Sequence, residues 1–176
     1  VYLTLNTLLT DRELPEAAEA LRKASRWGVD AVLVQDWGLW QLARLVAPDQ
    51  PLHASTQMTL MTRADMEALA PYGFTRIVLP REISLAEAAR LSQDGPLETE
   101  LFCHGAHCVS VSGQCLMSYV MGGRSGNRGE CAQPCRMPYG VNESAGKKYP
   151  LSLKDSCLAN ELQAMEDMGV ACLKLE

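Results

Sequence analysis

Seven cysteines mark this chain, and five of them fall between Cys103 and Cys135. The run reads Cys103-x4-Cys108-x6-Cys115-x15-Cys131-x3-Cys135, with Cys157 and Cys172 following. Thiolates gathered in one place need a disulfide, a zinc ion or an iron–sulfur cluster to neutralise them. An odd, clustered set without a signal-peptide pattern reads less like a disulfide framework than like metal ligands in a reducing compartment. The cytoplasm is therefore the expected location. Zinc knuckles prefer C-x2–4-C pairs, and only Cys131-x3-Cys135 has that spacing. A four-iron cluster accepts wider gaps, because its corners lie farther apart than the ligand positions of one ion. Cys103 alternates with Phe102 along a strand-like run and Cys172 lies within another, so both read as core. Cys108, Cys115, Cys131, Cys135 and Cys157 remain, five candidates for the four ligand positions of a cubane.

Glycines surround these cysteines: Gly105, Gly113, Gly122, Gly123, Gly126 and Gly129. They let backbone approach a bulky group, or they are ordinary turn residues. Arg124, Arg128 and Arg136 make the segment locally basic. Such residues either face solvent or grip phosphate and carboxylate with their planar forks.

The elements that must position these residues follow from apolar periodicity. Val1–Leu5, Ala31–Val34, Pro51–Ala54, Ile77–Leu79, Thr99–Cys103, Tyr149–Leu153 and Val170–Leu175 read as strands. Ala31-Val-Leu-Val34 is apolar throughout, the mark of a strand buried on both faces. Leu14, Ala17, Ala18 and Leu21 recur at helical spacing, as do Leu39, Leu42 and Leu45, then Met66, Leu69 and Ala70, then Leu85, Ala88 and Ala89. Asn160–Met168 reads as a further helix. Trp27-Gly28-Val29, Tyr72-Gly73-Phe74 and Met168-Gly169-Val170 each precede a strand, a repeated joint of helix end, glycine and strand. Strict alternation implies a parallel sheet with helical crossovers. The expected fold is α/β: a (β/α) TIM-like barrel, incomplete in this chain, with a long Cys-rich insertion over residues 105–148 after a barrel strand. A doubly wound sheet is the alternative.

Chemistry in such folds gathers where strands end and helices begin. Those positions here hold Asn6-Thr7, Gln35-Asp36, Ser55-Thr56-Gln57, Arg81-Glu82, His104-Gly-Ala-His-Cys108 and Lys154-Asp-Ser-Cys157. Asp36, Ser55 and Ser84 are natural helix caps. Gln57, Arg81 and Glu82 read as a site lining.

Composition narrows the classes. The 176 residues suit one domain, and 47% hydrophobic with 21% charged is ordinary for a globular chain. Sixteen basic against twenty-one acidic residues give a net charge of −5, which argues against gripping nucleic acid through the net field while allowing a local basic patch. No stretch approaches the roughly 18 apolar residues of a membrane span. Both ends fall in strand-like runs, so the chain reads as an internal piece of a longer protein. Its open sheet edges are expected to invite pairing with a second copy.

Three long motifs carry a resemblance. Glu100-Leu-Phe-Cys-His-Gly-Ala-His-Cys108, Ser112-Gly-Gln-Cys-Leu-Met-Ser118 and Asn127-Arg-Gly-Glu-Cys-Ala-Gln-Pro-Cys-Arg136 resemble the collagenase-like peptidases of family U32. Asn6-Thr7, Ser55-Thr56-Gln57, Leu79-Pro-Arg-Glu82 and Ser152-Leu-Lys-Asp155 with Cys157 fit as well. The resemblance implies one of two activities. The family name implies a peptidase. Better understood members imply an oxygen-independent hydroxylase acting on a pyrimidine of ribosomal or transfer RNA, or on a quinone precursor. It also implies a [4Fe-4S] cluster, with Cys108, Cys115, Cys131 and Cys157 as ligands and Cys135 in reserve. Prephenate as oxygen donor and a separate electron donor are implied too. The cysteine spacing resembles the ribosomal-RNA branch most. On that reading Arg81 and Lys154 hold carboxylate or phosphate. Glu82, Glu100 or His104 move protons, Gln57 and Asn6 read a base edge, and RNA enters along the arginine-bearing loop. No H-E-x-x-H or G-x-S-x-G motif supports peptide hydrolysis. A binding module with a structural zinc or iron–sulfur site is the remaining alternative.

Overall fold

Short apolar runs become parallel strands here because helices cover one face of each. The computed structural model describes residues 1–140 and 148–176; residues 141–147 of the expected 105–148 segment lie outside them. The strands β1 (Tyr2–Leu5), β2 (Ala31–Val34), β3 (Leu52–Ala54), β4 (Phe74–Val78) and β5 (Glu98–Gly105) pair in sequence order, all parallel. β6 (Ser156–Cys157) lies antiparallel to β5, and β7 (Cys172–Leu175) parallel to it. The helices α1 (Leu14–Trp27), α2 (Trp37–Val46), α3 (Arg63–Leu69) and α4 (Leu85–Ser92) join successive strands. The result is an α/β fold whose parallel sheet curls as part of a TIM-like barrel.

Alternation sorts the strand residues. Val32, Val34, Leu52, Ala54, Ile77, Leu79, Leu101 and Cys103 pack against Leu21, Leu39, Met66, Leu91 and Met165 of the helices. Each such burial contributes about 1.5–3 kcal/mol for the larger side chains. Leu33, Val78 and Phe102 form a second cluster, set by alternation on the inner face. Gly28, Gly73 and Gly169 have φ of 67°, 77° and 81°, the left-handed turn expected at each helix-to-strand joint. Asp36 caps α2 by accepting the Leu39 amide at 2.9 Å, and Ser84 opens α4 in a capping box with Glu87.

Three expectations are corrected. Tyr149–Leu153 is no strand: Pro150 has no amide to offer a ladder, and the chain turns with the Ser152 amide donating to the Tyr149 carbonyl at 3.2 Å. The strand there is the two-residue β6. The Asn160–Met168 helix is shorter, α6 (Leu162–Asp167) after a 3-10 turn at Ala159–Glu161. Cys172 is half-buried, not core. It lies on β7, which pairs only with β5 among the described residues.

The inner face carries an ionic layer. Arg76 donates to Glu98 at 3.0 and 2.8 Å, and the buried Glu100 stands 3.6 Å from both Arg76 and Lys174. His53 packs edge-on to Tyr2 at 5.0 Å in the same layer. Burial first, and then the Arg76 charge, push His53 down to about 4. An unfolded histidine titrates near 6.5, so falling pH protonates the unfolded chain first. The His53 contribution to stability is complete above about pH 6.5 and drains away toward about pH 4. Urea midpoints at pH 7 and pH 5 should show this loss, and His53→Gln should flatten it; an unchanged pH slope in that variant would refute the assignment.

Candidate functional site

All parallel strands end on one rim, and the chain after β5 folds back over it. Between them lies a cavity of about 480 Å³. Asn6, Ser55, Thr56, Gln57, Arg81, Lys174 and Glu176 line it from the strand ends, and Leu33 and Val78 from below. Cys108, Cys115, Cys131 and Cys135 line it from the overlying segment, with His107, Ser112 and Arg136. That segment holds little regular structure beyond α5 (Met117–Gly122) and short 3-10 turns.

Point fastenings hold it in place. The Glu82 carboxylate accepts the Ser112 amide. Thr59 donates its hydroxyl to the Ser112 carbonyl at 3.1 Å. Gly113 has φ 79°, and a Cβ there would stand 2.6 Å from the Gln57 carbonyl oxygen. Only glycine lets these two backbones meet. Arg128 clasps Glu13 and donates to the Leu8 carbonyl at 2.7 Å, which holds the Glu13 carboxyl down to about 2. Arg136 donates to Ser152, His107, Leu153 and Asp155. These two forks, read from the sequence as facing solvent or gripping phosphate and carboxylate, reach carboxylates and carbonyls of the chain itself and brace the segment. Arg124 is exposed and donates Nε to the Glu130 carbonyl at 2.9 Å.

The structure gathers some of the sequence-derived candidates and separates others. Gln57 and Arg81 face the cavity with Cys108, Cys115, Cys131 and Cys135. Arg81 stacks on Phe102, 3.8 Å from the ring centre, and pairs with Glu176. Glu82 is spent on the Ser112 amide. Glu100 belongs to the ionic layer below. His104 and Lys154 are exposed and do not line the cavity. Cys157 is also exposed, on β6 opposite His104. Lys174 was missed: it shares a strand face with Cys172 and Glu176, and only the pairing of β7 with β5 turns that face toward the cavity. His107 is the imidazole that lines the cavity.

Several buried polar atoms here lack partners: Gln57 Oε1, Thr56 Oγ1, Arg81 Nε and Ser112 Oγ. Buried polar groups are nearly always satisfied, so this concentration marks a place built to receive polar groups. All seven cysteines are free thiols. Burial, foremost, pushes the Cys108 thiol up. Among the described residues, no three His, Cys, Asp or Glu side chains stand close enough to hold a single metal ion. No helix among them is long and apolar enough to cross a membrane.

The fold and its cavity are those of an α/β protein whose polar side chains gather where the parallel strands end. The whole chain, residues 1–176, matches peptidase family U32, and the chain belongs to that family. It is 41% identical over its full length to the 23S rRNA 5-hydroxycytidine C2501 synthase of Escherichia coli, covering 27% of that protein. It is 30% identical to the tRNA hydroxylation protein P1 of Bacillus subtilis, covering 44% of it. It is also 28% identical over 99% of its length to a collagenase of Porphyromonas gingivalis, 46% of which it covers. The chain thus spans less than half the length of these relatives. No solved structure matches it.

Replacing Gly113 by alanine should loosen the roof. The left-handed backbone alone costs about 1–2 kcal/mol, and the Gln57 carbonyl leaves the new methyl no room. Amide exchange should rise at Ser112–Gln114 and at Gln57 while the strands stay protected. Unchanged exchange at both places would contradict this docking.

Proposed function

We propose that this chain is the cofactor- and substrate-bearing part of an iron–sulfur-dependent, oxygen-independent enzyme that hydroxylates a pyrimidine of ribosomal or transfer RNA. One observation carries the reading: four free thiols and several unpartnered polar atoms line one cavity at the strand ends. The relatives that modify ribosomal and transfer RNA support the substrate class.

The donor set fits a polynuclear group better than zinc. Zinc knuckles prefer C-x2–4-C pairs, and only Cys131-x3-Cys135 has that spacing, whereas a four-iron cluster accepts wider gaps. Cys108, Cys115 and Cys131 would hold a [4Fe-4S] cluster, with Cys135 or Cys157 as fourth ligand. Bound there, such a cluster supplies one-electron chemistry.

The chain's own residues do the rest. Gln57, beside Asn6, offers its amide to a base edge extruded from its stack. Arg81 and Lys174, in place of the exposed Lys154, hold the carboxylates of a small oxygen donor such as prephenate. His107 is placed to carry a proton. Leu33 and Val78 keep part of the floor apolar. The Cys-rich segment after β5 acts as the roof that excludes water.

The collagenase-like relatives favour a second reading, peptide hydrolysis by Cys108 beside His107. A Cys108 thiolate that holds iron is not free to attack a peptide, and neither H-E-x-x-H nor G-x-S-x-G occurs in the chain.

The intact protein purified without oxygen should be brown, absorb broadly near about 400 nm and carry iron and acid-labile sulfide. A colourless protein with stoichiometric zinc would refute the cluster. Ribosomal or transfer RNA from a deletion strain should lose one hydroxyl on one pyrimidine. Unchanged RNA alongside an accumulating peptide would favour hydrolysis. Gln57→Leu separates binding from folding. It removes an amide oxygen that already lacks a partner, so stability should hold or rise. RNA modification should fall roughly tenfold or more, since a lost substrate hydrogen bond costs about 1.5 kcal/mol. Full activity in this variant would exclude Gln57 from base recognition.

A further inference from the structure

Arg136 makes more side-chain contacts to distant parts of the chain than the site's chemistry explains. Its Nη1 donates to Ser152 Oγ at 3.1 Å and to the Leu153 carbonyl. Its Nη2 donates to the His107 carbonyl at 3.1 Å and to Asp155 Oδ1 at 3.4 Å. One guanidinium therefore joins two arms, the stretch leaving β5 and the stretch entering β6. The side chain is only 22% exposed. Arg136 itself and two of its contacts, His107 and Asp155, sit near a cysteine in the sequence. Cys135 immediately precedes Arg136, Cys108 immediately follows His107, and Cys157 lies two residues beyond Asp155.

The β5–β6 ladder fixes Cys157 opposite His104 and ends at Ser156, so it does not reach the loops that bear Cys108 and Cys135. Between Gly105 and Ser156 the described backbone forms α5, short 3-10 turns and one isolated bridge, Tyr139 to Lys148. The Glu82 and Thr59 contacts tie Ser112 to the rim, and Arg128 ties its own loop to Glu13. Among the described residues, these fastenings leave the β6 arm untouched. Arg136 is the side chain that spans both arms.

We propose that Arg136 is a positioning residue: its guanidinium holds the loops that bear Cys108 and Cys135 against the β6 arm, so that the exposed Cys157, already placed by the ladder, is within their reach when the cofactor loads. This rests on the reading that these thiols hold an iron–sulfur group. The planar fork is essential. A lysine ammonium keeps the charge but cannot address acceptors on opposite arms at once. Side chains that orient metal ligands typically change metal retention by roughly ten- to a hundredfold when replaced.

The test compares Arg136→Lys and Arg136→Ala in the intact protein purified without oxygen. The first readout is iron and sulfide retained through a chelator challenge. The second uses metal-free protein: cross-linking of Cys157 to Cys108 or Cys135 by a short thiol-bridging reagent, mapped by mass spectrometry. Arg136→Lys should keep the wild-type melting profile, lose iron roughly ten- to a hundredfold faster, and give few of these cross-links. A general structural role would lower the melting temperature and leave cross-linking in the surviving folded fraction unchanged, and that result would overturn the proposal. So would wild-type iron retention together with wild-type cross-linking in Arg136→Lys. Should Arg136→Ala fail to fold, Arg136→Lys decides. Should the wild type itself hold no iron, the cofactor reading fails, and the cross-linking arm alone judges Arg136.

Discussion

A contact between two backbones, with no space for a side chain, joins the thiol-bearing segment to the barrel. Gly113 sits on the Gln57 carbonyl in a left-handed conformation, flanked by the Glu82 and Thr59 hydrogen bonds to Ser112. The cavity exists because that seat is occupied. Gln57 then faces the thiols, and the loop bearing Cys108 and Cys115 cannot lift without breaking these contacts together. The strand ends supply the polar side chains, but the seat fixes their distance from the sulfurs.

Beneath the cavity, charge and stacking set the floor. Arg81 lies flat on Phe102, and Lys174 reaches toward the same ring while paired with Glu100. Buried ion pairs of this kind add little net stability, because desolvation offsets their attraction. Their value is positional. Removing Glu100 would leave Arg76 and Lys174 without their shared carboxylate in the barrel interior.

Much of the fold was legible in the sequence. Ala31–Val34 could only be a strand covered on both faces, and the three glycines before β2, β4 and β7 mark joints that the backbone confirms with positive φ. Gln57 and Arg81, read from the strand ends, line the cavity. What stayed hidden depended on long-range partners. Arg128 and Arg136 look like solvent-facing cations in a glycine-rich stretch; nothing local reveals that Glu13, Ser152 and Asp155 await them. Glu82 looked like a proton carrier because its amide partner lies thirty residues on, at Ser112. Lys174 was hidden inside an apolar phrase, and its inward aim appears only once β7 takes its place beside β5. Tyr149–Leu153 had strand-like residue types, and Pro150 outweighed them.

The thiol-bearing segment is held at a few discrete points rather than along a continuous ladder. Evolution can therefore lengthen or shorten the stretches between those points without shifting the sulfurs, since extra loop residues cost little entropy. The same scaffold can in this way acquire new walls around an unaltered centre, and one family can host chemistries directed at very different molecules.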